Sequence, residues 1–134
     1  MALSFDQEKR EFVRIKLAIP IRYKFLAENS KDPRLDKSYQ GSTSNISGGG
    51  LLLAGPIPDP NWIPDILLQR IVIGINFLLP DQDSMVKAIT RASWIEARKE
   101  TSEHWLIGLR FKEITQEDKE KIFQFIIKSQ LPGH

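Results

Sequence analysis

Val13-Arg14-Ile15-Lys16-Leu17-Ala18-Ile19-Pro20-Ile21-Arg22-Tyr23-Lys24-Phe25 is the stretch that decides the fold. Every odd position is apolar, and the even positions are Arg14, Lys16, Ala18, Pro20, Arg22 and Lys24. Strict period-two alternation sends one set of side chains to a core and the other to solvent, which predicts a long β-strand. Pro20 has no N–H for a ladder, so the strand should lie at an edge or carry a bulge there.

Working outward, Glu28 to Asp36 is polar and reads as a loop, and Ser38 to Ser47 reads as a weak strand. Asn45-Ile46-Ser47-Gly48-Gly49-Gly50 before Leu51-Leu52-Leu53-Ala54 suggests a hairpin turn, since Asn and Gly tolerate positive φ. Pro56, Pro58, Pro60 and Pro64 crowd the segment from Gly55 to Pro64, which predicts an extended loop without regular structure. Ile71, Ile73, Ile75, Phe77 and Leu79 share one face of a further strand. Met85 to Ala97 and His104 to Lys112 read as a hairpin, with Trp105, Ile107, Leu109 and Phe111 alternating in its second arm.

The period then changes. Thr115 with Asp118 three residues on forms a helix start, and Ile122, Phe123, Ile126 and Ile127 recur at helical spacing. A helix over 115–131 follows, ended by Pro132-Gly133. Five or six short antiparallel strands imply a closed or nearly closed barrel, with the helix covering an opening because its apolar face needs a partner.

Composition narrows the function. The chain has 134 residues, 41% hydrophobic and 27% charged, as expected of one globular domain rather than a disordered chain. It has no cysteine and only two histidines, His104 and His134, so no thiolate nucleophile is available and a metal site is not expected. Nineteen basic residues balance seventeen acidic ones, for a net charge of +2, which argues against wrapping long nucleic acid. Residues 1–24 are locally basic, with Lys9, Arg10, Arg14, Lys16, Arg22 and Lys24 against Asp6, Glu8 and Glu11, a patch suited to a small anion. The start lacks the pattern of a signal peptide, and Ile66 to Leu79, broken by Gln69, Arg70 and Asn76, is too short to span a bilayer. These features predict a cytoplasmic protein with no membrane insertion.

Two clusters carry chemistry. Arg10 and Arg14 each present a planar fork of donors that matches a phosphate or the O6/N7 edge of guanine. On an extended chain they stand ~13 Å apart, at a rise of ~3.3 Å per residue. Asn45 and Ser47 offer polar groups at alternate positions, and Gly48, Gly49 and Gly50 leave backbone N–H groups open to a ligand. Each cluster alone also fits a bland reading: solvated flanking charges for the arginines, an ordinary hairpin turn for the second.

Their order and setting make the chain resemble the PilZ family. Arg10 and Arg14 match that family's Arg-x-x-x-Arg motif, and Asn45, Ser47 and Gly50 match its (Asp/Asn)-x-Ser-x-x-Gly motif. Trp94 to Phe111, with Gly108-Leu109-Arg110-Phe111, looks like its last two strands. The resemblance implies an all-β fold, a six-stranded antiparallel PilZ-type barrel with a C-terminal helix, and a non-enzymatic receptor for cyclic di-GMP. In that reading residues 1–12 form a flexible arm that orders on binding, and 13–134 form the single barrel domain. Arg10 and Arg14 would clamp guanine and phosphate, Asn45 and Ser47 would bond the ligand from the barrel, and Gly50 would keep that face open. Lys9, Gly48, Gly49 and Trp94 join them with less weight, since a Trp on a barrel strand is more often core. Lys9 bears on whether one nucleotide or a stacked pair binds.

The implied partners are cyclic di-GMP and a downstream protein, with the receptor itself a monomer or weak dimer and no cofactor. Two alternatives stand beside this: a PilZ-like interaction module without nucleotide binding, and a barrel for single-stranded oligonucleotides using Trp62, Trp94 and Trp105. A catalytic Ser47–His104 pairing has no supporting motif. Trp62 in the proline-rich loop is either an exposed contact or a packed loop residue, and the usual burial of large aromatics favours packing.

Overall fold

A computed structural model describes residues 14–28, 30–98 and 104–130. Its strands are β1 (Arg14–Leu26), β2 (Tyr39–Asn45), β3 (Gly50–Gly55), β4 (Val72–Phe77), β5 (Val86–Ala97) and β6 (Trp105–Ile114). They close into an antiparallel barrel in the order β1-β2-β3-β6-β5-β4. Alternation explains the wall. Ile19, Ile21, Tyr23 and Phe25 of β1 are buried, while Ala18, Pro20, Arg22 and Lys24 between them are exposed. Leu53, Ile73, Phe77 and Ile107 complete the interior from the other strands.

Pro20 finds its tolerated place. It pairs with Ser42 of β2, but pairing with β4 begins only at Ile21↔Phe77, so Pro20 sits at a local edge of a closed sheet. A bulge lies just before it: β1 advances from Arg14 to Ile19 while β2 moves only from Asn45 to Thr43.

The two mouths of the barrel are closed differently. One holds the start of β1, the β2–β3 and β4–β5 turns and the end of β6. Helix α2 (Gln116–Gln130) lies across it. Thr115 Oγ1 accepts the Asp118 N–H at 3.1 Å, which starts the helix as its sequence predicts. Ile122 is fully buried. Asp118 accepts the Lys87 N–H at 3.1 Å, and Lys121 Nζ donates to Ser84 Oγ at 2.6 Å and to Asp118 at 3.1 Å, which fastens α2 to the β4–β5 turn.

At the other mouth the proline-rich segment is not the unstructured loop its composition predicts. Pro60–Trp62 form a 3-10 turn and Ile63–Leu67 the short helix α1. Asp59 accepts the Asn61 N–H at 2.9 Å, and Pro60 and Pro64 each occupy a first turn, where no N–H partner is required. Trp62 is only 8% exposed and packs edge-on to Phe25, centroids 5.4 Å apart. Arg34 lies over its ring at 5.1 Å. The helix end at Pro132-Gly133 and the arm over 1–12 lie outside the described residues.

Candidate ligand-binding site

The β2–β3 turn is built by short-range bonds. Thr43, buried, donates from Oγ1 to the Asn45 carbonyl and accepts the Asn45 N–H, both at 3.2 Å, and so sets the backbone of Asn45. Ser47 N–H donates to the Gly50 carbonyl at 2.8 Å, and Ser47 Oγ donates to the same oxygen and accepts the Gly49 N–H, both at 3.3 Å. The Ser47 hydroxyl therefore shapes the turn and keeps one lone pair free. The Asn45 carboxamide has no hydrogen-bond partner among the described residues and is half-buried. Phe111 N–H donates to the Gly49 carbonyl at 2.9 Å and ties the turn to β6.

Gly48 and Gly50 serve close approach rather than positive φ, which corrects the turn chemistry expected from sequence. None of the three turn glycines adopts the left-handed region. At Gly50 a Cβ would collide with the Leu109 carbonyl oxygen of β6. At Gly48 it would fall 2.9 Å from the Phe123 ring of α2. At Gly49 it would meet nothing within 4 Å, and the Gly49 N–H that could meet a ligand already serves Ser47.

Strand register assembles the rest. Gly50 of β3 faces Arg110 of β6, and Leu52 faces Gly108. Across β6, Arg110 faces Arg91 of β5 and Gly108 faces Trp94. Two outward rows result, Gly50–Arg110–Arg91 and Leu52–Gly108–Trp94. Gly50 and Gly108 form a low floor, and the Trp94 indole lies against Gly108, where no side chain would fit. Trp94 is 45% exposed, so it is a wall residue rather than core. An open concavity of about 380 Å³ is lined by Asn45, Ser47, Gly49, Trp94 and Arg110 among others.

The first motif reaches this place through β1. Arg14 stands opposite Asn45 in the β1–β2 ladder, so the two motifs meet at one mouth of the barrel although most of β1 and β2 separates them in sequence. Arg10 and Lys9 lie outside the described residues. Lys24, on the outer face of β1, faces Gly74 of β4 and lines a different groove of about 590 Å³ with Arg22 and Lys87.

Gly108 and Arg110 also line the concavity, and neither motif includes them. Their signal was present: in the alternating run Trp105, Ile107, Leu109, Phe111, the intervening outward places hold Gly108 and Arg110. The competing arrangements lose their geometry. Ser47 and His104 belong to opposite mouths, separated by the length of β3, roughly 17 Å at ~3.4 Å per residue. Trp62 is buried beneath Arg34, so Trp62 and Trp94 do not share a stacking surface for an oligonucleotide.

Comparison with known proteins agrees with this architecture. The chain is similar to the solved structure of the Bacillus subtilis inhibitor of motility, MotI/DgrA, with 15% identity and a TM-score of 0.61 over 91% of this chain and 51% of that one. It is also similar to MrkH of K. pneumonia, with 14% identity and a TM-score of 0.57 over 87% of this chain and 46% of that one. It thus spans about half the length of these structures, and the likeness is one of fold. No curated protein matches its sequence. The PilZ domain matches residues 8–128, a span that holds both motifs, every strand and nearly all of α2, and the chain therefore belongs to the PilZ domain family.

Proposed function

We propose that the protein is a non-enzymatic receptor for cyclic di-GMP that orders its N-terminal arm on binding and passes occupancy to a partner protein. The observation that carries this reading is the β1–β2 register, which sets Arg14 opposite Asn45 beside a concavity floored by glycine and walled by Trp94. In this reading Arg10 and Arg14 grip guanine and phosphate, Asn45 and the free lone pair of Ser47 bond the ligand, and Trp94 offers a π-face to a base. Gly50 holds β3 against β6 so that the floor stays low.

The magnitudes fit. A micromolar complex needs about −8 kcal/mol. Two charge-assisted arginine contacts supply roughly 1.5–3 kcal/mol each, and stacking on an aromatic ring about 1–3 kcal/mol per base. Ordering the arm offsets part of that sum, which makes the arm the natural switch.

Calorimetric titration with cyclic di-GMP tests the reading. Arg10→Ala or Arg14→Ala should weaken binding about 100-fold, equivalent to ~2.7 kcal/mol. Lys24→Ala, on the far groove, should leave affinity unchanged. Equal affinities across the set would reduce the two arginines to solvated charges.

A further inference from the structure

Beyond Arg110 the ligand concavity continues into a second one of about 550 Å³, between the β5–β6 wall and the start of α2. The two share Gly49 and Arg110. Arg91, Arg110, Lys112 and Lys119 line the second, with Glu113 as its carboxylate and the Gly48–Gly49 backbone as its rim. Among the described residues none of these four cations forms an ion pair or a side-chain hydrogen bond. Arg91 and Arg110 are direct cross-strand partners, which places their Cβ atoms roughly 4.5–5.5 Å apart on one face. Like charges so placed destabilise a sheet unless an anion lies between them. Elsewhere in the molecule arginine is treated differently: Arg34 is held by both Asp32 and Asp59.

We infer that Arg91, Arg110, Lys112 and Lys119 form a second anion subsite, joined to the nucleotide concavity through Arg110, which takes a phosphodiester group. This rests on the receptor reading above. Two sources share that chemistry: the far phosphate of one bound cyclic dinucleotide, or a phosphate of a second molecule. A guanidinium pair fits a phosphodiester because its forked donors match two non-bridging oxygens at once.

Titration of cyclic di-GMP into wild type, Arg91→Gln and the double variant Arg91→Gln/Lys112→Gln, with melting curves for each, tests the subsite. Affinity should fall about tenfold in Arg91→Gln and further in the double variant, while Tm holds or rises because a like-charge contact is relieved. A stoichiometry that drops from two to one in the double variant identifies a second molecule. A constant stoichiometry of one with weaker binding identifies the far phosphate. Unchanged affinity and stoichiometry in both variants, with Arg14→Ala still weakening binding about 100-fold, overturns the subsite and leaves the receptor reading standing. Absence of binding by the wild type overturns both.

Discussion

The two tryptophan–arginine pairs at opposite parts of the barrel use the same chemistry to opposite ends. At one mouth Arg34 is paired twice: its Nε and Nη2 donate to Asp32 at 3.0 and 2.7 Å, and Nη2 also meets Asp59 at 3.2 Å. Its guanidinium caps the buried Trp62, and Tyr39 OH donates to the Arg34 carbonyl at 3.0 Å, so two loops are pinned together. On the β5–β6 wall Arg110 faces another arginine, no carboxylate answers it among the described residues, and Trp94 lies half open beside it. Paired charge over a buried ring is a structural fastening. Unpaired charge beside an exposed ring is, in the receptor reading proposed above, where the ligand is met. Asp32 shows the same contrast, since the hydrogen bonds from Arg34 hold its carboxyl below the usual carboxylate range.

The sharpest test separates the two rings. Trp62→Ala should cost about 3–5 kcal/mol in denaturant unfolding, the usual range for a truncated core aromatic, with cyclic di-GMP affinity unchanged. Trp94→Ala should reverse the pattern, leaving stability intact and weakening affinity about tenfold, ~1.4 kcal/mol. If Trp94→Ala unfolds the protein as Trp62→Ala does, the contrast between fastening and site breaks.

Within the β2–β3 turn the glycines sharpen it on a smaller scale. Gly50→Ala should destabilise by about 3 kcal/mol, at the upper end for overpacking, because the obstructing atom is the Leu109 backbone oxygen and cannot swing away. Gly49→Ala, with open space around the new methyl, should stay within about 0.5 kcal/mol of wild type, as ordinary surface substitutions do. Chemical denaturation of the two variants reads both numbers. Similar losses would mean that backbone freedom, not strand approach, sets the need for glycine.

The smallest effect concerns pH. Burial raises the Asp118 pKa, but the hydrogen bonds from the Lys87 N–H, Lys121 and Thr115 outweigh it and hold the carboxyl below its ordinary value. A depressed folded-state pKa contributes stability above the unfolded value, about 3.9, and that contribution is lost as pH falls through the folded value. The melting temperature should therefore decline below about pH 4, and Asp118→Asn should flatten that decline. An identical acid limb in the variant would remove Asp118 as its source.

Much of the fold was legible because strand periodicity is local. Ile19 to Phe25 and Trp105 to Phe111 announce their faces without reference to any other segment, and both motifs stand in the chain as written. The 3-10 turn Pro60–Trp62 and helix α1 after it were not legible, because proline removes an N–H wherever it stands, and only the capping of the 3-10 turn by Asp59 and the placing of Pro60 and Pro64 in first turns make that loss harmless. Trp62 packs, as the usual burial of large aromatics favours, whereas Trp94, weighed toward the core on the same ground, stands half exposed. A lone aromatic carries no periodic signal that says which neighbour covers it.

Local alternation, turn residues and two short motifs were enough to establish a barrel, its family and the residues worth testing, since each depends on neighbours along the chain. Register belongs to folding in three dimensions. Which residue of β6 meets which residue of β5 depends on bulges and strand offsets summed around a closed sheet, so the facing of Arg91 with Arg110, the meeting of Arg14 with Asn45 and the low glycine floor emerge only once the barrel has closed.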